Sequence, residues 1–186
     1  MTDYFAKTAP ESFPHVPREL RETFRPTKFP DWVVEVCGLH LFAAEGSNYE
    51  RTGSSIPDPG DMLYRLEGDC QDQSVLLASL YMSVDLDVRF VRVSKPGQSH
   101  VLTEVYCPVP DSDLVCSVLR KFYSRELGKD VGEVAFEERS GETGFWLVAD
   151  PEWSSFVGDI STLRGDYIAD SASGWEWRDL REVQEM

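Results

Sequence analysis

Cys70 sits in "LEGDCQDQSVLLASLY", between an acid and an amide, where a helical pattern begins. Leu76, Leu77, Leu80, Tyr81 and Val84 fall at i, i+1, i+4, i+5 and i+8, one face of a helix. A helix starting at Asp69 or Cys70 therefore puts the thiol in its first turn. A free thiol is mostly protonated near neutral pH, and only the thiolate is a good nucleophile. Two influences favour the thiolate: the partial positive charge of a helix N-terminus and a nearby imidazolium. Gly68 permits a close backbone approach to the helix, Asp69 can cap it, and Asp72 suits its first turn. Both acids oppose a thiolate, so an imidazolium has to contribute.

The chain has three histidines, His15, His40 and His100. His15 lies in a Pro-rich stretch, and His40 lies on a helix that reads as buried, where a satisfied core role suffices. His100 opens a strand directly after a turn, at what would be the rim of a cleft, where a base can be held against a helix N-terminus packed on the sheet. An imidazole in that role needs a third group to fix its tautomer and stabilise its charge. Asp150, which ends "FWLVAD" before Pro151, can supply it if its strand lies beside that of His100. Each residue alone has a plainer reading: a buried structural thiol, a surface imidazole, an Asp that forms a turn.

The elements that must bring these residues together are legible in outline. Residues 1–30 carry five prolines and read as an arm over the surface, with a short helix over "PRELRETF". "DWVVEVCGLHLFAAE" (31–45) reads as a largely buried helix that Asp31 can cap, and 46–60 as a loop beside the cleft. "DVRFVRVS" (87–94) and "HVLTEVYCPV" (100–109) read as antiparallel strands joined at "KPGQS". Residues 112–128 form a helix stopped by Gly128, and 133–153 a hairpin with "SGETG" at its tip. The tail from Gly158 carries Trp175 and Trp177 as anchors and an acidic end. The order, helices and then an antiparallel sheet, gives the α+β class.

Taken together, "GDCQDQSVLLASLYMSVDLDVRFVRV", "SHVLTEVY" and "WLVADPEW" resemble the core of the transglutaminase-like superfamily over residues 62–153. Those blocks are a Gly-Asp-Cys opening a helix, a His-x-x-x-Glu-Val strand and an aromatic-rich strand ending in Asp-Pro. The resemblance implies a papain-like α+β fold with the nucleophile helix packed on an antiparallel sheet. It implies Cys70 as nucleophile, His100 as general base and acid, and Asp150 as the orienting acid. The implied chemistry is acyl transfer at a peptide or amide bond, hydrolysis ahead of crosslinking, with no cofactor and with a peptide or protein as substrate. His100 and Asp150 are 50 residues apart, with the helix 112–128 between them, and Asp111 and Asp113 stand as substitutes. For the oxyanion, the Cys70 N–H is one donor; Gln71, Trp32 and Tyr64 are candidates for the cleft and a second donor. On this reading the domain plan is an arm (1–30), a catalytic core (31–157) with a helical insertion near 111–130, and a tail (158–186). A core that had lost its activity and only binds partners is the competing reading.

Composition narrows the partners. The chain has 186 residues, suited to one domain, and a net charge of −15 from 33 acids and 18 basic residues. Such a surface repels phosphate backbones, so no nucleic-acid partner is expected. Basic residues are 13 Arg and 5 Lys, an acid-rich, Lys-poor pattern resembling proteins that work in concentrated salt. No apolar run has the length of a membrane span and the N-terminus has no signal-peptide pattern, so no membrane partner and a cytoplasmic protein with reduced thiols are expected. Cys37, His40, Cys107 and Cys116 lack paired Cys-x-x-Cys spacing, which argues against a structural zinc site. The oligomeric state is left open.

Overall fold

Residues 31–46 are apolar on nearly every side, and in the computed structural model of the chain they form α1 (Asp31–Gly46), buried continuously from Val33 to Leu41. The described residues are 5–13, 15, 18–19, 22, 29–51, 56–95, 98–131, 134–162, 168–171 and 176–177. Asp31 does not cap α1. Pro30 occupies the cap position and Asp31 is the first helical residue, where its charge faces the positive end of the helix.

The expected loop 46–60 holds more structure than its Gly, Ser and Pro content implied. Asn48–Tyr49 is a short strand, β1, and the loop ends by entering α2 (Pro59–Arg65). Asp58 starts that helix by accepting the Gly60 N–H at 2.8 Å, and Pro59 suits its first position. β1 pairs in parallel with β2 (Glu67–Gly68), and that two-residue ladder leads directly into α3 (Cys70–Met82). α3 is buried from Asp72 to Tyr81, and the Tyr81 hydroxyl donates to the Val36 carbonyl at 2.9 Å, fastening α3 to α1.

β3 (Val88–Lys95) and β4 (Gln98–Cys107) form the expected antiparallel hairpin, with Val93 opposite His100. α4 (Ser112–Leu127) follows. Asp111 accepts the Leu114 N–H at 2.9 Å at its start, and Gly128, at φ 62°, ends it in the left-handed region. β5 (Phe136–Glu138) and β6 (Phe145–Ala149) make the second hairpin, and β6 pairs antiparallel with β4, Thr103 opposite Ala149. The tail contributes two strands that local pattern did not announce: β7 (Ile168–Ser171) pairs with β3, and β8 (Glu176–Trp177) with β7. The result is a six-stranded antiparallel sheet in the order β5-β6-β4-β3-β7-β8. The fold is α+β, with α3 packed on the central strand β4 and α4 inserted between β4 and β5.

The main core lies between the helices and the sheet and includes Leu39, Leu76, Leu77, Leu80, Leu119, Phe122 and Leu147. Phe13 from the arm is buried in it, and the Ala9 N–H donates to Ser79 Oγ at 3.1 Å, so this part of the arm is pinned to α3. Most of the helix expected over 17–24, Trp175 and the Trp177 side chain lie outside the described residues. Among the described residues no helix is long and apolar enough to cross a membrane.

Candidate active site

Cys70 is the first residue of α3, and the two acids beside it form a capping box. Asp69 accepts the N–H groups of Gln71 at 2.9 Å and Asp72 at 3.4 Å, while the Asp72 carboxylate accepts the Asp69 N–H at 3.0 Å. Their charges are thus engaged by backbone donors of the helix start. The Cys70 N–H, at the first helical position, has no acceptor within the helix. Gly68 is required by space: a Cβ there would lie 2.7 Å from both Asp72 Cβ and Met62 Cε. Cys70 is half-buried, whereas Cys37, Cys107 and Cys116 are buried, and burial pushes the thiols of all three up.

One turn after Cys70, α3 is bolted to the strand that carries the imidazole. Ser74 Oγ–H donates to the Val101 carbonyl, and Thr103 Oγ1–H donates back to the Ser74 carbonyl, each at 2.9 Å. Val101 adjoins His100, so this reciprocal pair fixes both the rotation of α3 and the height of His100 beside it.

His100 is 2% exposed and stacks on Trp153, with ring centroids 3.6 Å apart and planes 10° from parallel. Its Nε2 meets Asp150 Oδ2 at 2.5 Å. Burial alone would lower its pKa; the hydrogen bonds and charges of Asp150 and Cys70 outweigh that and raise it to about 9. With Nε2 held by Asp150, Nδ1 is left for the cleft, and Glu152 Oε2 lies 3.6 Å from it. Cys70 Sγ, a ring nitrogen of His100 and a carboxylate oxygen of Glu152 lie within 4.8 Å of one another.

The 50-residue separation of His100 and Asp150 is closed by pairing of β6 on β4, which brings Asp150 past the strand end toward His100. Asp150 is fully buried and used in full: Oδ1 accepts the N–H groups of Glu152 at 2.9 Å and Trp153 at 3.3 Å, and its carbonyl meets His40 Nε2 at 3.1 Å. Asp111 caps α4 and Asp113 is exposed in its first turn, so neither takes that place.

The Gln71 backbone N–H is taken by Asp69 and its side chain is half-buried. Trp32 packs against the main core, and Tyr64 is 90% exposed on α2. No hydrogen bond or ring contact among the described residues joins either one to Cys70 or His100. Four residues not singled out for the site do border it. Glu152 and Trp153 follow Asp150 in the turn and flank the imidazole. Their signal was the register itself, since extending the β4–β6 pairing from Thr103–Ala149 sets His100 opposite Glu152. Tyr49 on β1 pairs with Gly68, two residues before Cys70, and is 57% exposed; desolvation pushes its phenol up, as do the charges of Glu152, Cys70 and Asp69. His40 is the fourth, and burial holds its pKa low, so its neutral ring donates to the Asp150 carbonyl. Cys37 and His40 gather no third metal donor; among the described residues the grouping of that kind is Cys70, His100 and Glu152.

No protein-family model matches the chain, and no match is found among curated proteins. Solved structures similar to it include calcium-bound LapG from Legionella pneumophila, at 15% identity and a TM-score of 0.47, covering 98% of this chain and 95% of that one. The EGTA-treated form of LapG aligns at 17% identity and a TM-score of 0.46, over 88% and 82%. A candidate cysteine protease from Cytophaga hutchinsonii aligns at 11% identity and a TM-score of 0.46, over 98% of this chain, which spans 62% of that protein's length.

Proposed function

We propose that the chain is a transglutaminase-like cysteine hydrolase acting on peptide or amide bonds, with Cys70, His100 and Asp150 as its triad. The observation that carries this reading is the imidazole of His100, joined through Nε2 to a buried carboxylate and with a ring nitrogen within 4.8 Å of the half-buried thiol at a helix start. The Cys70 thiolate adds to the substrate carbonyl carbon, and the oxyanion that forms is met by the Cys70 N–H. His100 Nδ1–H gives its proton to the departing amine as the C–N bond breaks, leaving a thioester. Water then attacks the thioester and gives a proton to Nδ1; the C–S bond breaks, releasing the carboxylic acid and restoring the thiolate. Asp150 holds the tautomer and stabilises the imidazolium. An amine in place of water would give a crosslink, and the mass of the product separates the two outcomes.

The test is alkylation by limiting iodoacetamide, read residue by residue, on wild type and His100→Ala. Cys70 is expected to react at least about tenfold faster than Cys37, Cys107 or Cys116, which are buried and held protonated. His100→Ala is expected to slow Cys70 selectively. Equal rates at Cys70 in both proteins refute the pair and leave a non-catalytic module. Cleavage of a mixed peptide pool, abolished in Cys70→Ala, then identifies the bond class.

A further inference from the structure

We propose that Cys70, His100 and Glu152 form a binding site for a soft divalent cation, zinc in particular, whose occupation blocks the thiol reversibly. The donor set is one sulfur, one imidazole nitrogen and one carboxylate oxygen, all within 4.8 Å of one another. Zinc takes these three donor types at about 2.3, 2.0–2.1 and 2.0–2.2 Å, and a tetrahedral set spaces its donors roughly 3.3–3.7 Å apart. His100 Nδ1 and Glu152 Oε2 already stand 3.6 Å apart. The remaining closure, on the order of an ångström, falls on the flexible Cys and Glu side chains.

Two further features point to a ligand. Glu152 Oε1 is held by the Trp153 indole N–H at 3.0 Å, while Oε2 is buried without a hydrogen-bond partner and lies on the His100 side. The nearest donor to that oxygen, His100 Nδ1–H, is 3.6 Å away, beyond a good hydrogen bond, so the oxygen is poorly satisfied, and a cation that displaces the Nδ1 proton to solvent binds both groups. The outer shell is also in place. A metal-bound imidazole almost always turns its other nitrogen to a carboxylate, which is the arrangement of His100 Nε2 and Asp150 Oδ2. Asp150 is in turn fixed by two backbone N–H groups and by His40. Cys70 is half-buried and Glu152 partly exposed, so an ion can enter, and the fourth position is left for water. The thiol and imidazole disfavour Mg²⁺ and Ca²⁺, which take oxygen donors.

The experiment uses the whole chain and zinc alone, at free concentrations set by a chelator, with alkylation of Cys70 by iodoacetamide as the readout. Zinc is expected to protect Cys70 and EDTA to restore its reaction. Glu152→Gln, with a thermal midpoint close to wild type, is expected to raise the zinc concentration for half-protection about tenfold or more. Cobalt(II) on wild type is expected to give a thiolate charge-transfer absorption that Cys70→Ala lacks. Absence of protection, equal protection in Glu152→Gln, or a cobalt band that survives in Cys70→Ala each overturns the site. Neither readout needs an acyl substrate. A failure here leaves the hydrolase reading standing, and a chain that binds zinc but cleaves no peptide leaves this site standing.

Discussion

Asp150 does four jobs with one residue. One carboxylate oxygen meets His100, the other closes the turn over Glu152 and Trp153, the carbonyl is held by His40, and the residue ends β6. Asp150→Asn keeps an oxygen for the turn but replaces the charge that holds His100 near 9. The imidazole pKa, followed by NMR, is expected to fall by about one unit or more, and turnover to fall by about 10²–10⁴. An unchanged imidazole pKa would show that Asp150 does not act on the ring electrostatically. His40 belongs to the same cluster although it is 110 residues from Asp150 in sequence. His40→Leu leaves the Asp150 carbonyl without this donor, and an expected loss of about 1–3 kcal/mol is readable by urea unfolding. A stability equal to wild type would remove His40 from the support of the site. Sequence alone showed the types at Cys70, His100 and Asp150, because a capped helix start, a strand after a turn and a strand end are local signals. It did not show Glu152, Tyr49 or the His40 contact, which depend on which strand pairs with which and on how α1 lies beneath the turn.

At the scale of elements, the site depends on one joint, the reciprocal bonds between Ser74 on α3 and Val101 and Thr103 on β4. Ser74→Ala removes the hydroxyl that meets the Val101 carbonyl, at an expected cost of about 1–2 kcal/mol. Because the joint sits one turn from Cys70 and beside His100, alkylation of Cys70 is also expected to slow several-fold. Ser79→Ala is the matched control. Ser79 lies on the same helix, bonds the Val75 carbonyl at 2.7 Å and takes the Ala9 N–H, and its substitution is expected to lose comparable stability without removing a hydrogen bond to β4. The same drop in alkylation from both variants would mean that general loosening, not this joint, sets the geometry. The helices and hairpins around the joint were readable because each has its own periodicity and stop signal, such as Gly128 after α4. α2 was also signalled, by Asp58 and Pro59, but inside a stretch whose composition reads as loop. β1 with β2 and β7 with β8 were not readable: strands of two to four residues carry too little pattern, and long-range partners define them.

Across the whole molecule, buried titrating groups and the net charge of −15 make stability depend on pH in a predictable direction. Glu104 is fully buried beside Arg89, which it shares with Glu137 while Arg139 also faces Glu137, and Arg89 lies 4.4 Å from the Trp146 ring centroid. Burial raises Glu104 from 4.5 to about 7 against the pull of Arg89. The folded chain therefore holds a proton that the unfolded chain releases. That contribution is present below pH 4.5 and lost as pH rises to about 7. His100, raised from 6.5 to about 9, contributes stability that is full below pH 6.5 and lost as pH rises through 9. His40 opposes them at the acid end: its pKa is lowered from 6.5, so its share is lost as pH falls below that value. Self-repulsion among carboxylates adds to the decline on the alkaline side. Urea unfolding is thus expected to show lower stability at pH 8.5 than at pH 6.5, with roughly 2–3 kcal/mol of the difference from His100. His100→Ala should flatten that limb, and Glu104→Gln the limb between pH 4.5 and 7. Raising KCl from 0.1 to 1 M shortens the screening length from about 10 to 3 Å and should recover the part due to surface repulsion while leaving the His100 and Glu104 parts, which are buried. A stability that rises between pH 6.5 and 8.5 would contradict the protonated, carboxylate-held imidazole that the proposed triad requires.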